Sequence, residues 1–284
     1  MAHPLVEIAY NPLSGGHAPH RIDALRAAFE TRGATVRVTT VADQRFEIDA
    51  GTTCLCVAGG DGTVRQAVQA VQRTGREIVI GIYPTGTVNL IAIEAGLSTD
   101  ADALADRLLG EVRHRSYSVS LNDTQFTVCA SVSPETWAVE RVSLRLKGRI
   151  GRFAYAVAVL PSLIAWPRRT IRIAVDGRRL DCEAFYVAKG RYFAGRWVLA
   201  PDARLGTSDM RLVVLKTARR IDMARFWLRL ATRRPVDDLA FVETITCTAF
   251  SAEAEGALAI QADGDIVATL PGRFALIQAP VYFA

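Results

Sequence analysis

The sequence is short of the residues that build disulfide scaffolds, metal centres and membrane spans. It has five cysteines and four histidines in 284 residues. The cysteines are scattered singly, except for Cys54 and Cys56. Those two flank one residue of a strand-like run, so they point the same way with no room for a strain-free bridge. Neither a disulfide framework nor a zinc spacing is present, which suits a reducing compartment. His3, His17, His20 and His114 form no ligand pattern. The longest nearly uncharged apolar stretch, residues 153–166, has fourteen residues broken by Pro161. That is too short to span a bilayer. Residues 1–10 lack the basic start and long apolar core of a secretory signal. The expected location is therefore cytoplasmic. No internal repeat and no low-complexity linker occurs.

What the chain does have is ample core and an uneven charge. Half of its residues are hydrophobic and 22% are charged, which excludes a disordered chain. The length allows one large or two ordinary domains. Net charge is +5. Residues 140–235 hold 22 Lys+Arg against 7 Asp+Glu, a net of +15, and the remainder sums to −10. A basic middle points to an anionic surface, membrane or nucleic acid. No nucleic-acid motif accompanies it. The expected partner is an anionic membrane surface, met peripherally at its inner face, and no nucleic acid.

Residues 5–120 alternate between strand and helix patterns. Strands are expected at 5–10, 35–40, 54–58 and 78–82, and helices at 18–32, 64–73, 88–95 and 100–109. Such alternation implies an α/β domain with a mostly parallel sheet and helices on both faces. After about residue 116 strand-like runs dominate, at 117–121, 125–130, 170–175, 183–188, 210–215, 243–250, 257–261 and 274–277. Asp176-Gly177 and Asp263-Gly264 are hairpin-turn pairs. The second half is expected to be an antiparallel β domain. The expected division is 1–119 and 120–284, with the last residues packing back on the first domain. Helical insertions are expected at 139–165 and 218–234. In the second, Ile221, Ala224, Leu228 and Ala231 fall at helical spacing beside Phe226 and Trp227, with arginines supplying the polar side. That pattern suits a helix lying in a membrane interface or one packed on the β domain.

Three segments carry chemistry. The run 54–71 is an apolar strand that ends in Gly59-Gly60-Asp61-Gly62-Thr63 and leads into an amphipathic helix. Glycine lets the backbone turn sharply and approach a ligand. A helix N-terminus favours an anion. Asp61 would repel a bare phosphate, so it would meet one through a cation such as Mg²⁺. In a plain strand-to-helix turn Asp61 would merely cap the helix. Asn-Pro-Leu-Ser-Gly-Gly at 11–16 and Pro-Thr-Gly-Thr-Val-Asn at 84–89 also follow strands and precede helices. In an open α/β sheet these positions gather at the carboxyl ends of the strands. Three such turns within 92 residues point to a phosphate-bearing ligand.

These three segments, followed by Leu-Lys-Gly-Arg-Ile-Gly-Arg-Phe-Ala-Tyr-Ala at 146–156, Pro-Asp-Ala-Arg-Leu at 201–205 and Asp263-Gly264-Asp265, resemble the diacylglycerol kinase catalytic family. That family includes bacterial lipid kinases and the sphingosine and ceramide kinases. The resemblance spans about residues 8–271. It implies an N-terminal Rossmann-like α/β domain that binds ATP, a C-terminal antiparallel β-sandwich that carries much of the lipid site, and chemistry in the cleft between them. It implies nucleotide contacts from Asn11, Pro12, Leu13, Ser14 and Gly15, from Thr40, and from Gly59, Gly60, Asp61, Gly62, Thr63, Val64 and Arg65. Gly86, Thr87 and Asn89 complete the set. Asp61 would organise phosphates and Mg²⁺. Asp265 takes the place of the family's glutamate general base, with Asp263 beside it. The implied activity is phosphorylation of a hydroxyl on diacylglycerol or a related lipid, in lipid metabolism. The alternatives are a NAD kinase-like enzyme, which shares the Gly-Gly-Asp-Gly-Thr run, and a nucleotide- or lipid-binding relative without turnover.

The chain departs from the family pattern in four places. Asp265 is one methylene shorter than glutamate. Gly206-Thr207-Ser208 stands where the family often has Asp-Asp-Gly, which supports a structural Mg²⁺ site in some members. Ser131-Val132-Ser133-Pro134 replaces a glycine-rich segment. Thirteen residues separate Thr40 from Cys54, which shortens or removes the usual helix there.

Overall fold

The computed structural model describes residues 3–41, 46–97, 99–136 and 168–284. It divides into two compact units, Met1–Ser116 with Ala279–Ala284, and Tyr117–Gln278. The helix expected at 139–165 and the basic segment at 146–156 lie outside the described residues.

The first unit is built on strands β1 (Leu5–Tyr10), β2 (Thr35–Thr40), β3 (Cys54–Gly59), β4 (Val79–Pro84), β5 (His114–Ser116) and β20 (Val281–Phe283). They form one sheet in the order β2-β1-β3-β4-β20-β5. All neighbours are parallel except β5, which runs antiparallel to β20. Its helices are α1 (Pro19–Thr31), α2 (Asp61–Thr74), α3 (Leu90–Ala95) and α4 (Ala101–Leu109). Every residue of β3 is buried, as a central parallel strand requires. Cys54, Cys56 and Ala58 pack with Leu25 and Phe29 of α1 and Leu104 and Leu108 of α4. By alternation Leu55 and Val57 face the other side. There α2 buries Val64, Ala67, Val68 and Val71.

Asp100 caps α4, accepting from the backbone N–H groups of Asp102 and Ala103 at 3.0 and 3.1 Å. Gly75 ends α2 in the left-handed region, with φ 63°. The connection from β2 to β3 carries no helix among its described residues 46–53. A buried carboxylate anchors it. Glu7, in the middle of β1, accepts from the Thr39 hydroxyl, the Asp49 N–H and the Thr52 hydroxyl at 3.0, 3.1 and 2.7 Å. All five cysteines of the chain are buried and unbridged.

The second unit is a β-sandwich. Its strands are β6 (Val119–Leu121), β7 (Thr124–Phe126), β8 (Cys129–Val132), β9 (Ile171–Val175), β10 (Arg178–Cys182), β11 (Ala184–Ala188), β12 (Tyr192–Phe193), β13 (Trp197–Val198), β14 (Met210–Leu215), β15 (Val242–Cys247), β16 (Ala249–Ala254), β17 (Ala259–Ala262), β18 (Asp265–Thr269) and β19 (Gly272–Leu276). One sheet runs β10-β9-β16-β19-β6-β7 and the other β15-β14-β11-β8-β17-β18. The interior between them is apolar, from Val119 to Leu276. Phe185 of one sheet meets Phe250 and Phe274 of the other edge-on, each with centroids 5.8 Å apart. Phe250 and Phe274 stack at 4.3 Å.

Three details differ from the sequence pattern. The single strand expected at 243–250 is two strands in different sheets, because the chain turns the sandwich corner at Thr248. Strand β10, Arg-Arg-Leu-Asp-Cys, has too polar a face to be read as a strand and sits at a sheet edge. Helix α5 (Arg220–Ala231) packs on the sandwich with Met223, Phe226, Trp227 and Leu230. The stripe read from the sequence, Ile221, Ala224, Leu228 and Ala231, faces solvent instead.

Candidate functional site

The first unit brings three loops together at the carboxyl ends of β1, β3 and β4. Asn11 leaves β1 and donates its backbone N–H to the carbonyl of Ala58 at 3.1 Å. Its side-chain oxygen accepts from the Leu13 N–H at 2.9 Å, closing an Asx turn over Pro12. Its amide nitrogen donates to the Thr63 hydroxyl at 3.3 Å. Thr85 joins the remaining edges. Its N–H donates to the Gly59 carbonyl at 3.1 Å, and its own carbonyl accepts from the Gly16 N–H at 2.8 Å. Thr85 was not among the residues singled out from the sequence, because a threonine between proline and glycine carries no distinctive signal. Its hydroxyl is buried with no hydrogen-bond partner.

The glycines make this meeting possible. A Cβ on Gly86 would lie 2.4 Å from the Cα of Gly60, and one on Gly59 would lie 2.4 Å from the Cβ of Thr63. No real Cβ tolerates either contact. Gly15 has open space on its Cβ side. Asn89 takes a left-handed conformation, with φ 57°. Its side chain closes the Gly86 turn at both ends, accepting from the Gly86 N–H at 2.9 Å and donating to the Gly86 carbonyl at 2.8 Å. Asn89 therefore shapes the loop.

Asp61 is the first residue of α2, and Gly60 is its N-cap. The sequence pattern placed the helix start later, at Val64. The first α2 bond runs from the Val64 N–H to the Gly60 carbonyl. The N–H groups of Gly62 and Thr63 thus have no carbonyl of their own helix to bond. The Asp61 carboxylate accepts from the Ile91 N–H in the first turn of α3, at 3.3 Å. It is half-buried. Among the described residues no group of three or more His, Cys, Asp and Glu side chains could hold a metal ion. A lone carboxylate suits Mg²⁺, which is commonly held by one or two carboxylates plus phosphate oxygens and water. Pro12, Leu13 and Thr87 are exposed, Ser14 and Arg65 half-buried, and Val64 buried in the helix core. Thr40 ends β2 directly beside Tyr10 at the end of β1, at the same edge of the sheet.

In the second unit, Asp263-Gly264 is a tight turn between β17 and β18, with φ 47° and 92°. Both values are left-handed, as in a type I′ hairpin. The two carboxylates around it have opposite surroundings. Asp263 is buried. It accepts from the N–H and hydroxyl of Thr127 at 2.7 and 2.9 Å, and from the N–H groups of Val128 and Cys129 at 2.9 and 3.1 Å. Its acceptor capacity is fully used. Asp265 opens β18 and is half-buried. The turn and its anchor hold Asp265 in place, and Asp263 is a positioning group.

The segment 201–209 is held by Lys189 and by Asp209. Lys189 is buried and donates its ammonium protons to the carbonyls of Arg204 and Leu205 at 2.6 and 2.9 Å. The Asp209 carboxylate accepts from the Thr207 hydroxyl at 2.7 Å and pairs with Arg211 at 3.0 Å. Burial alone would raise its pKa, but these partners outweigh burial and hold it below the usual value. The replaced segment 131–134 is a buried polar cluster. The Ser131 hydroxyl meets Thr136 at 2.9 Å and donates to Gln261 at 3.1 Å, and Ser133 meets Thr136 at 3.0 Å. Beside it burial pushes the Glu135 carboxyl above the usual range. The Tyr186 and Ser133 hydroxyls partly counter that shift, without a hydrogen bond of good geometry.

Comparison with known proteins agrees with this geometry. A family profile described as diacylglycerol kinase catalytic domain matches residues 6–120. A second, described as YegS C-terminal NAD kinase beta sandwich-like domain, matches residues 128–281. A diacylglycerol kinase of Staphylococcus saprophyticus is 27% identical over 283 residues, covering 94% of this chain and 90% of that protein. One from Staphylococcus carnosus is 27% identical over 242 residues, covering 80% and 77%. The crystal structure of a Bacillus anthracis diacylglycerol kinase superposes with a TM-score of 0.75 at 16% identity, covering 100% of this chain and 97% of that one.

Proposed function

The chain belongs to the diacylglycerol kinase catalytic family, and from that premise we propose that it transfers the γ-phosphoryl group of ATP to a hydroxyl of diacylglycerol or a related lipid. The observation that carries this reading is the meeting of the 11–16, 59–63 and 85–89 loops, held by Thr85 and by the Gly60–Gly86 contact, around one carboxylate. Backbone N–H groups at the start of α2 supply donors to phosphate oxygens. Asp61 would hold Mg²⁺, and the ion would supply charge neutralisation on the phosphates. Phosphoryl transfer asks for positioning and charge neutralisation more than covalent help. The rigid loop contacts supply the positioning.

Asp265 takes the acceptor's hydroxyl proton: it is half-buried at the start of β18, whereas the acceptor capacity of Asp263 is already used by Thr127, Val128 and Cys129. The acceptor is a membrane lipid, met at an anionic surface. No described helix is long and apolar enough to cross a membrane. Incubation with radiolabelled ATP and Mg²⁺ tests the proposal against diacylglycerol, monoacylglycerol, ceramide, sphingosine, a polyprenol and NAD. Label in a lipid product supports it. Label in NAD alone, or in nothing, overturns it.

A further inference from the structure

Helix α5 is apolar on two opposite faces. Met223, Phe226 and Leu230 are fully buried on its inner face. On its outer face Ile221 is 57% exposed and Leu228 63% exposed, with Ala224 and Ala231 continuing the stripe. An apolar face on a helix is ordinarily covered. The inner face has its cover in the sandwich, and the outer face has none among the described residues. Beside it lies a groove of about 560 Å³. Leu228, Leu239 and Phe241 form its apolar wall, and Arg225, Arg229 and Arg234 stand around it.

The chemistry of this surface selects its occupant. A helix presenting two large apolar side chains offers far less than the roughly 800 Å² per partner of a stable protein interface. Here three arginines crowd a narrow apolar strip, and among the described residues only Arg229 of the three pairs with a carboxylate, Asp238 at 3.2 Å. Arginine stems cover apolar surface while their heads reach outward, and guanidinium groups bind phosphate bidentately. Apolar residues flanked by arginine are the composition of a helix seated at the headgroup boundary. The same stretch belongs to the basic span 140–235, of net charge +15.

We propose that the outer face of α5, with its arginine-rimmed groove, is the surface by which this chain docks on an anionic phospholipid bilayer. Ile221 and Leu228 enter the headgroup boundary, and Arg225 and Arg234 bind lipid phosphates. The inference deepens the lipid-kinase reading, on which its use to the protein rests, but the docking itself needs neither ATP nor an acceptor.

The test is cosedimentation of the full chain with phosphatidylcholine vesicles, with and without phosphatidylglycerol. The variants are I221S/L228S and R225Q/R234Q. All four side chains are solvent-facing, and thermal melts followed by circular dichroism check that both variants stay folded. The wild type is expected to bind the phosphatidylglycerol vesicles and to be released by salt. The apolar double variant should bind at least about tenfold more weakly. The arginine double variant should lose the preference for phosphatidylglycerol. Both should phosphorylate a short-chain acceptor in water as fast as the wild type. Three results would overturn the proposal: unchanged binding by both folded variants, equal wild-type binding to both vesicles, or a dimer that I221S/L228S dissolves. No lipid phosphorylation by any form would instead sink the kinase reading and leave the vesicle result standing.

Discussion

In the first unit, polar groups meet at the edge of a sheet, and short-range turns arrange them. Asn11 serves Leu13, Asn89 serves Gly86, and the Gly60–Gly86 contact joins neighbouring strand ends. In the second unit, the buried polar groups lie outside the apolar interior, at a hairpin turn and on the outer face of one sheet, and depend on distant partners. Asp263 accepts from Thr127, Val128 and Cys129, and the Ser131 hydroxyl donates to Gln261. The first arrangement places helix-terminal N–H groups and a half-buried carboxylate at the strand ends. The second consumes its hydrogen bonds internally and fixes a backbone. The same residue type therefore does different work in each. Asp61 opens a helix, half-buried, at the meeting of three loops, whereas Asp263 is buried and saturated by backbone donors.

The largest expected effects test that contrast directly. Asp265→Asn should lower lipid phosphorylation about 10²–10⁴-fold, the range of a lost general base, while ATP binding stays intact. Asp265→Glu should retain activity. Full activity in Asp265→Asn would move the base elsewhere. Asp61→Asn should cost about 10²–10³-fold in rate, as loss of charge stabilisation does. Its melting curve should match the wild type. A folded Asp61→Asn protein with normal turnover would make this carboxylate a mere helix-terminal group.

Next comes the buried member of the comparison. Asp263→Asn places an amide NH₂ against backbone N–H donors and should lower stability by about 2–4 kcal/mol in urea unfolding. If it instead melts normally and loses only turnover, the division between a structural and a chemical carboxylate is wrong. Gly86→Ala tests the loop contact. Its Cβ would force the Gly60 loop away. ATP affinity should fall about tenfold to a hundredfold by calorimetry, with little loss of stability.

The smallest effect concerns Glu135. Burial raises its carboxyl pKa, so between the unfolded and the folded pKa the folded chain holds a proton that the unfolded chain has released. Its contribution is fully present below the unfolded value, about 4.3, and is lost as pH rises through the higher folded value. Glu135→Gln should therefore stabilise the protein by about 1–2 kcal/mol at neutral pH and by less near pH ~4. Equal effects at both pH values would show that the carboxyl is not held protonated.

The sequence by itself was enough for the fold class, the order of most strands and helices, and the three glycine-bearing loops at the strand ends. Each of those depends on neighbours in the chain: period-2 and period-3.6 patterns, glycines at strand ends, and Asp-Gly pairs at hairpins. It did not reveal that Thr85 joins two loops or that Asp263 is the saturated carboxylate of the pair around Gly264. The stripe on α5 was legible as apolar, yet its direction was not, because inward-facing and outward-facing apolar stripes have the same helical spacing. The run 243–250 likewise reads as one strand until the sandwich corner divides it between sheets. Those outcomes depend on groups well apart in sequence, 136 residues for Thr127 and Asp263, or on which of two apolar faces finds a partner first. Such choices are made by burial and hydrogen-bond satisfaction across the whole unit, and no local window of sequence contains them.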